Sequence, residues 1–196
     1  IYNFCMHLFR SILVFFLLIS FNSFANNEPF ESTYYPLPQS NILFKGGNIY
    51  DGDGNEFLNT DVIISNGVIV AIGEDLPVSD DTIIKDVTGK WITPGIIDIH
   101  SHMGVYPAPG VSTSSDGNEA TSPVTAEVWA EHSMWVQDPQ YALALAGGVT
   151  TFHVLPGSAN LIGGRGVTVK NLQRNTINSM KFPDAPHSLK MACGEN

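Results

Sequence analysis

The sequence has little cysteine, few cations and no long apolar span. Two cysteines, Cys5 and Cys193, stand near opposite ends of 196 residues, which excludes a disulfide-built scaffold. Lys and Arg total 9 against 19 Asp and Glu, a formal net charge of −10. An acidic surface repels phosphate backbones and anionic lipid heads, so no nucleic-acid partner is expected. The most apolar run, Ile12 to Ile19, falls short of the ~20 residues that cross a bilayer, so no stable membrane anchor is expected. The Gly-rich stretch near Gly163 lacks a following Gly-Lys-Ser/Thr, and no Gly-x-Ser-x-Gly occurs. A phosphate-binding P-loop and a serine-hydrolase elbow are therefore excluded. Asp51-Gly52-Asp53-Gly54-Asn55-Glu56 fails as a calcium loop: Glu56 stands where Gly is needed and Val62 where Glu is needed.

What is present begins with a targeting signal. Arg10 precedes the apolar run, and Ser23-Phe24-Ala25 supplies small residues at the two positions a signal peptidase reads. Residues 1–25 are read as a signal peptide cleaved after Ala25, and the protein as exported, periplasmic or secreted. Cleavage removes Arg10 and Cys5, leaving the chain one unit more acidic and Cys193 alone, expected as a small buried side chain. The chain starts at Ile1 rather than Met and stops at Cys193-Gly194-Glu195-Asn196; it is read as the N-terminal fragment of a longer protein.

Apolar residues make up 43%, enough for a packed core. Residues 26–40 carry Pro29, Pro36 and Pro38 and read as an extended linker. Residues 41–90 show short β-branched runs without helical periodicity. Ile42–Phe44 and Ile49-Tyr50 flank Gly46-Gly47. Asn66-Gly67 joins Asp61–Ser65 to Val68–Gly73, a type I′ hairpin signal. Thr82–Val87 is a further strand. From residue 91 the order changes. Ile96–His102 is an apolar strand, Met103 to Pro123 a long loop, and Thr125 to Trp135 a short helix. Asp138-Pro139 starts a helix through Ala146 that Gly147-Gly148 stops. Val149–Val154 is the next strand, and a strand–helix–strand order implies parallel pairing. Beyond it lie a Gly-rich loop (156–166), a strand at Val167–Lys170 and a strand around Leu189–Ala192.

His100 and His102 carry the chemistry. Residues i and i+2 of a strand share a face about 6.6 Å apart, so two imidazoles there can converge on one divalent cation. Asp98 is on the same face, a candidate outer partner. His-x-His alone is a weak signal; its frame is Pro94-Gly95-Ile96-Ile97-Asp98-Ile99-His100-Ser101-His102.

This frame closely resembles the first barrel strand of the amidohydrolase superfamily, Pro-Gly-x-x-Asp-x-His-x-His. Asn66-Gly67-Val68-Ile69 and Gly89-Lys90 are similar to that family's small N-terminal sandwich, and Gly147–Thr151 to its second-strand entry. Leu155–Gly164 resembles the branch related to imidazolonepropionase and to secreted dipeptide-cleaving members. The resemblance covers about residues 41–196. It implies an α/β fold: a β-sandwich over 41–90, then over 91–196 the first part of a (β/α)8 TIM-type barrel, truncated and not closed, because such a barrel takes ~250 residues.

The resemblance makes His100 and His102 ligands of a divalent metal, zinc by preference, one or two ions. The family completes the site with a bridging carboxylate, for which Glu195 is the candidate and Lys190, as a carboxylated lysine, the rival. Two more histidines and a proton-shuttling Asp come from later strands, so this chain alone is expected to be inactive and to hold no catalytic Asp. Metal-activated water would then hydrolyse C–N bonds of a small molecule or short peptide. A deaminase of the same superfamily is the alternative enzyme; a non-catalytic exported β-rich binding module is the alternative of another class. Homo-oligomerisation is left open. His153, on the second strand, and Arg165, in the Gly-rich loop, are weaker candidates for substrate contact. Glu127, Glu131 and His132 are read as the solvated face of the 125–135 helix.

Overall fold

The computed structural model describes residues 30–193. The described residues from Ser32 onward belong to one compact unit. The signal-peptide reading of residues 1–25 and the candidate Glu195 lie outside the described residues. That unit is a strand-rich, mixed α/β structure.

The first sheet is built on β1 (Ile42–Tyr50). β2 (Glu56–Ser65) pairs with it antiparallel, and β3 (Val68–Gly73) extends the sheet beyond β2. β4 (Ile83–Asp86) and the short β5 (Trp91–Ile92) run parallel to β1. The Asn66-Gly67 turn forms as read, with φ of 51° and 76°, the positive values a type I′ turn needs. The Gly46-Gly47 pair does not separate two strands. It is a bulge inside β1, where the register shifts between Phe44 and Gly47. Gly46 takes φ 69°, and its N–H donates to the buried Asp61 carboxylate at 2.9 Å. The carboxylate takes up a donor that the displaced backbone would otherwise bury unpaired.

The second sheet has the order β6-β7-β8-β9. β6 (Ile96–Ser101) and β7 (Val149–Val154) are parallel, and α1 (Gln140–Ala146) lies in the connection between them, as the strand–helix–strand order implied. The Asp138 carboxylate accepts from Gln140 N at 3.0 Å, satisfying an N–H of the first turn. The Asn171 amide donates to Tyr141 O at 3.0 Å and Val149 O at 2.8 Å, tying α1 to β7. β8 (Ile162–Lys170) and β9 (Ser188–Met191) complete the sheet, each antiparallel to the strand before it. Phe152, Val154, Val167 and Val169 point to one face, where Val105, Met134, Tyr141 and Met180 complete the core. Strand alternation leaves His153 and Thr168 on the other face.

Four expectations are corrected. Thr125–Trp135 is not a helix: it runs beside β8 through bridges Val124↔Ile162 and Trp129↔Arg165, with one 3-10 turn at Ala130–His132. Its backbone bonds go to β8, with Thr125 N donating to Ile162 O at 2.8 Å and Arg165 N to Val128 O at 2.7 Å. Glu131 is not solvated. It is buried in an ion pair with Lys181 Nζ at 2.6 Å, and only such pairing makes burial of either charge tolerable. The Gly-rich segment 156–166 is a loop only to Leu161; the glycines 163, 164 and 166 lie within β8. Cys193, just beyond β9, is exposed. The extended segment after residue 31 is anchored as well: Ser32 Oγ donates to Lys181 O at 2.9 Å and Thr33 N to Asn178 O at 2.9 Å.

Candidate metal centre

The site begins where β6 ends. Ile97 and Ile99 alternate with Asp98 and His100, so the two polar side chains share the opposite face, with His102 next in line. The His100 backbone N–H donates to Asp98 Oδ1 at 3.1 Å. The rings of His100 and His102 have centroids 5.5 Å apart and planes at 80°. His102 Nδ1 lies 2.9 Å from Leu155 O. A carbonyl only accepts, so Nδ1 carries a proton, and in the neutral ring the lone pair is on Nε2. This is the outer hydrogen bond by which proteins fix the tautomer of a metal-binding histidine. Leu155 is itself held by its N–H donating to Ser101 O at 2.9 Å.

The third component comes from β9. Lys190 Nζ stands 3.2 Å from His100 Nε2. An ammonium only donates, so Nε2 accepts. Ser188, two residues earlier on the same face, reaches His153 Nε2 at 2.6 Å, while Thr168 Oγ1 lies 2.9 Å from His153 Nδ1. His153 thus has a hydroxyl at each ring nitrogen. Burial first, then the neighbouring His187 and His100, hold its pKa below the ordinary histidine value, so it is neutral near pH 7. Gly166 lies opposite Ser188 and admits this arrangement: a Cβ there would come within 2.6 Å of both Leu155 Cδ2 and Ser188 Oγ.

These residues suit a divalent cation. Two imidazoles stand side by side, and the Lys190 amine lies against one of them. Among the described residues no group of three or more His, Cys, Asp or Glu side chains comes together. Arg165 takes another position: its guanidinium lies 4.8 Å over the Trp129 ring and its Nε donates to Ala126 O at 3.2 Å. It secures the 124–129 segment to β8. His153 faces the same strand, β9, as His100 does; Arg165 is not brought to that group.

Ser188 and Tyr106 escaped the reading from sequence. Tyr106 meets His102 edge-on, with ring centroids 5.4 Å apart, and borders a cavity of about 310 Å³ lined also by Pro107, Val111 and Ser112. Tyr106 carries no spacing signal. Ser188 did stand two positions before the named Lys190, which is enough to put the two on one face of a strand.

No family model matches the chain. It is 36% identical over 148 residues to "Amidohydrolase tasK" of Hapsidospora irregularis, covering 69% of this chain and 15% of that protein. It is 33% identical over 131 residues to a dihydropyrimidinase of Arabidopsis thaliana, covering 65% and 20%. The crystal structure of an amidohydrolase from Thermotoga maritima MSB8 superposes with a TM-score of 0.70 at 43% identity, covering 79% of this chain and 39% of that one. The chain therefore spans well under half the length of each of these relatives.

Proposed function

Because this chain belongs to the amidohydrolase superfamily, we propose that the whole protein hydrolyses a C–N bond of a small molecule, a cyclic amide or short peptide, at a divalent metal centre begun here. The observation that carries the proposal is the meeting of His100, His102 and Lys190 at the end of β6. His100 and His102 would hold the ion, zinc by preference, one or two in number. Such an ion lowers the pKa of a bound water toward ~7 and polarises the scissile carbonyl.

The chain's own residues prepare that site. Leu155 O fixes the His102 tautomer, and Asp98 pins the His100 backbone. Lys190 as an ammonium donates to the His100 lone pair; deprotonated and joined to CO2, with release of a further proton, its amine would become a carbamate that presents oxygens instead. Glu195 is the other source of a bridging carboxylate. In the whole protein β6–α1–β7 would be the first turn of a (β/α)8 barrel. Ile97 and Ile99 on β6, on the face away from His100, are 61% and 76% exposed, an apolar surface that the helical layer of the whole protein would cover. The name of the Arabidopsis relative, dihydropyrimidinase, supports a cyclic amide as substrate.

The test is metal analysis of the whole purified protein beside a His100→Ala/His102→Ala variant, with hydrolysis of cyclic amides and dipeptides followed in parallel. Stoichiometric metal lost in the variant, with ring opening or amino-acid release, supports the proposal. Free ammonia as the product would replace hydrolysis by deamination, and absence of metal from the wild type would sink the enzymatic reading.

A further inference from the structure

We infer that Tyr106 is a positioning residue that sets the ring of His102; the inference rests on the metal-centre reading above. Tyr106 lies in the loop that leaves β6, four residues after His102, and the first turn of that loop is fixed because Val105 N and Tyr106 N both donate to His102 O, at 3.1 and 3.0 Å. Its ring then stands edge-on to the imidazole at 85°. The ring is wedged there by two glycines. A Cβ on Gly117 would fall inside the Tyr106 ring, and one on Gly157 would strike the Tyr106 hydroxyl and the Asn118 amide. Asn118 Nδ2 donates to the Tyr106 hydroxyl, and Gly157 N donates to Gly117 O at 2.7 Å, closing the seat from both loops.

Two restraints therefore act on His102 from different sides. Leu155 O holds Nδ1 and chooses the tautomer. A single hydrogen bond leaves the ring free to swing about it, and the Tyr106 edge removes that freedom. Leu155 and Gly157 belong to the loop after β7, so the same short segment supplies the hydrogen bond and half of the tyrosine seat. An aromatic ring suits the task, being rigid and attracted edge to face.

The experiment uses the whole protein stripped of metal and titrated with Zn²⁺ alone, with ¹⁵N-histidine NMR of the metal-free form. Tyr106→Leu is expected to weaken zinc binding by about ten- to hundredfold, the usual effect of removing an outer partner of a ligand. It should also broaden the His102 ring signals, as the ring exchanges between orientations. Tyr106→Phe keeps the ring and should restore both to near wild type. Should Tyr106→Leu fail to fold, Gly117→Ala, which displaces the ring, is expected to give the same two losses. Unchanged zinc affinity and an unchanged His102 signal in the folded ring-less or displaced variant would overturn the inference. Wild-type protein that takes up no zinc would instead overturn the metal-centre reading; the NMR signal of the metal-free protein still decides the role of Tyr106.

Discussion

Lys190 places its Nζ 3.2 Å from Nε2 of His100, ninety residues earlier in the chain. β6 and β9 are the outermost strands of the sheet, with β7 and β8 between them, so a flat sheet could not make this contact. β8 uses residues 167–170 to pair with β7 and residues 162–166 to pair with β9. The glycines lie in the second stretch, and Gly164 takes φ 125°. A glycine-rich strand bends easily, and this one carries β9 back over the face that holds the histidines.

Substitution separates the two candidate bridging residues. Lys190→Met is expected to reduce zinc retention by about tenfold or more and abolish hydrolysis in the whole protein, if its amine is the precursor of the bridging group. Glu195→Gln is the matched control. Metal content of the two variants, measured side by side, checks the assignment; loss confined to Glu195→Gln would transfer the role.

His153 predicts a pH dependence of stability. Its folded pKa lies below the ordinary value near 6.5, so the native state binds fewer protons than the unfolded chain. The stabilisation is complete above about pH 6.5 and is lost as pH falls through the folded value. Thermal unfolding at about pH 7.5 and about pH 5 should show a drop that His153→Gln diminishes. An equal drop in the variant would assign the effect to other groups.

The buried ion pair of Glu131 and Lys181 gives a sharper stability prediction. Their side chains are 3% and 5% exposed. Glu131→Gln leaves the lysine charge buried without its partner and should cost about 3–5 kcal/mol. Replacing both by apolar residues of similar volume should cost much less. Chemical denaturation of the three proteins checks this, and equal costs for the single and double replacements would refute it.

Gly166→Ala tests the approach of β9 to His153. The added methyl would meet the side chains of Leu155, Ser188 and His153 at once, and relief requires all three to turn aside together. A destabilisation of about 1–3 kcal/mol is expected, with a shift of the His153 ring signals in NMR. No change in either would mean that the three side chains have room to turn aside.

Export remains a proposal read from residues 1–25. Expressed with its own N-terminus in a host that secretes proteins, the mature chain should begin at Asn26, which mass spectrometry of the purified protein would establish. An unprocessed N-terminus would remove the proposal.

The sequence by itself determined the local features. Asn66-Gly67 demanded positive φ twice and so became a hairpin turn. Asp138, Pro139 and Gly147-Gly148 bounded α1. Alternation along residues 96–102 put Asp98, His100 and His102 together, because strand periodicity needs no knowledge of the rest of the chain. Tertiary structure decided whatever depended on a distant partner. It turned Thr125–Trp135 from a helical pattern into a segment bonded to β8. It drew Glu131 inward, because Lys181 was there to neutralise it. It brought Lys190 to His100 and Tyr106 to His102. Those contacts depend on where a bent glycine-rich strand and two glycine-walled loops return in space, and residue spacing along the chain carries no record of that.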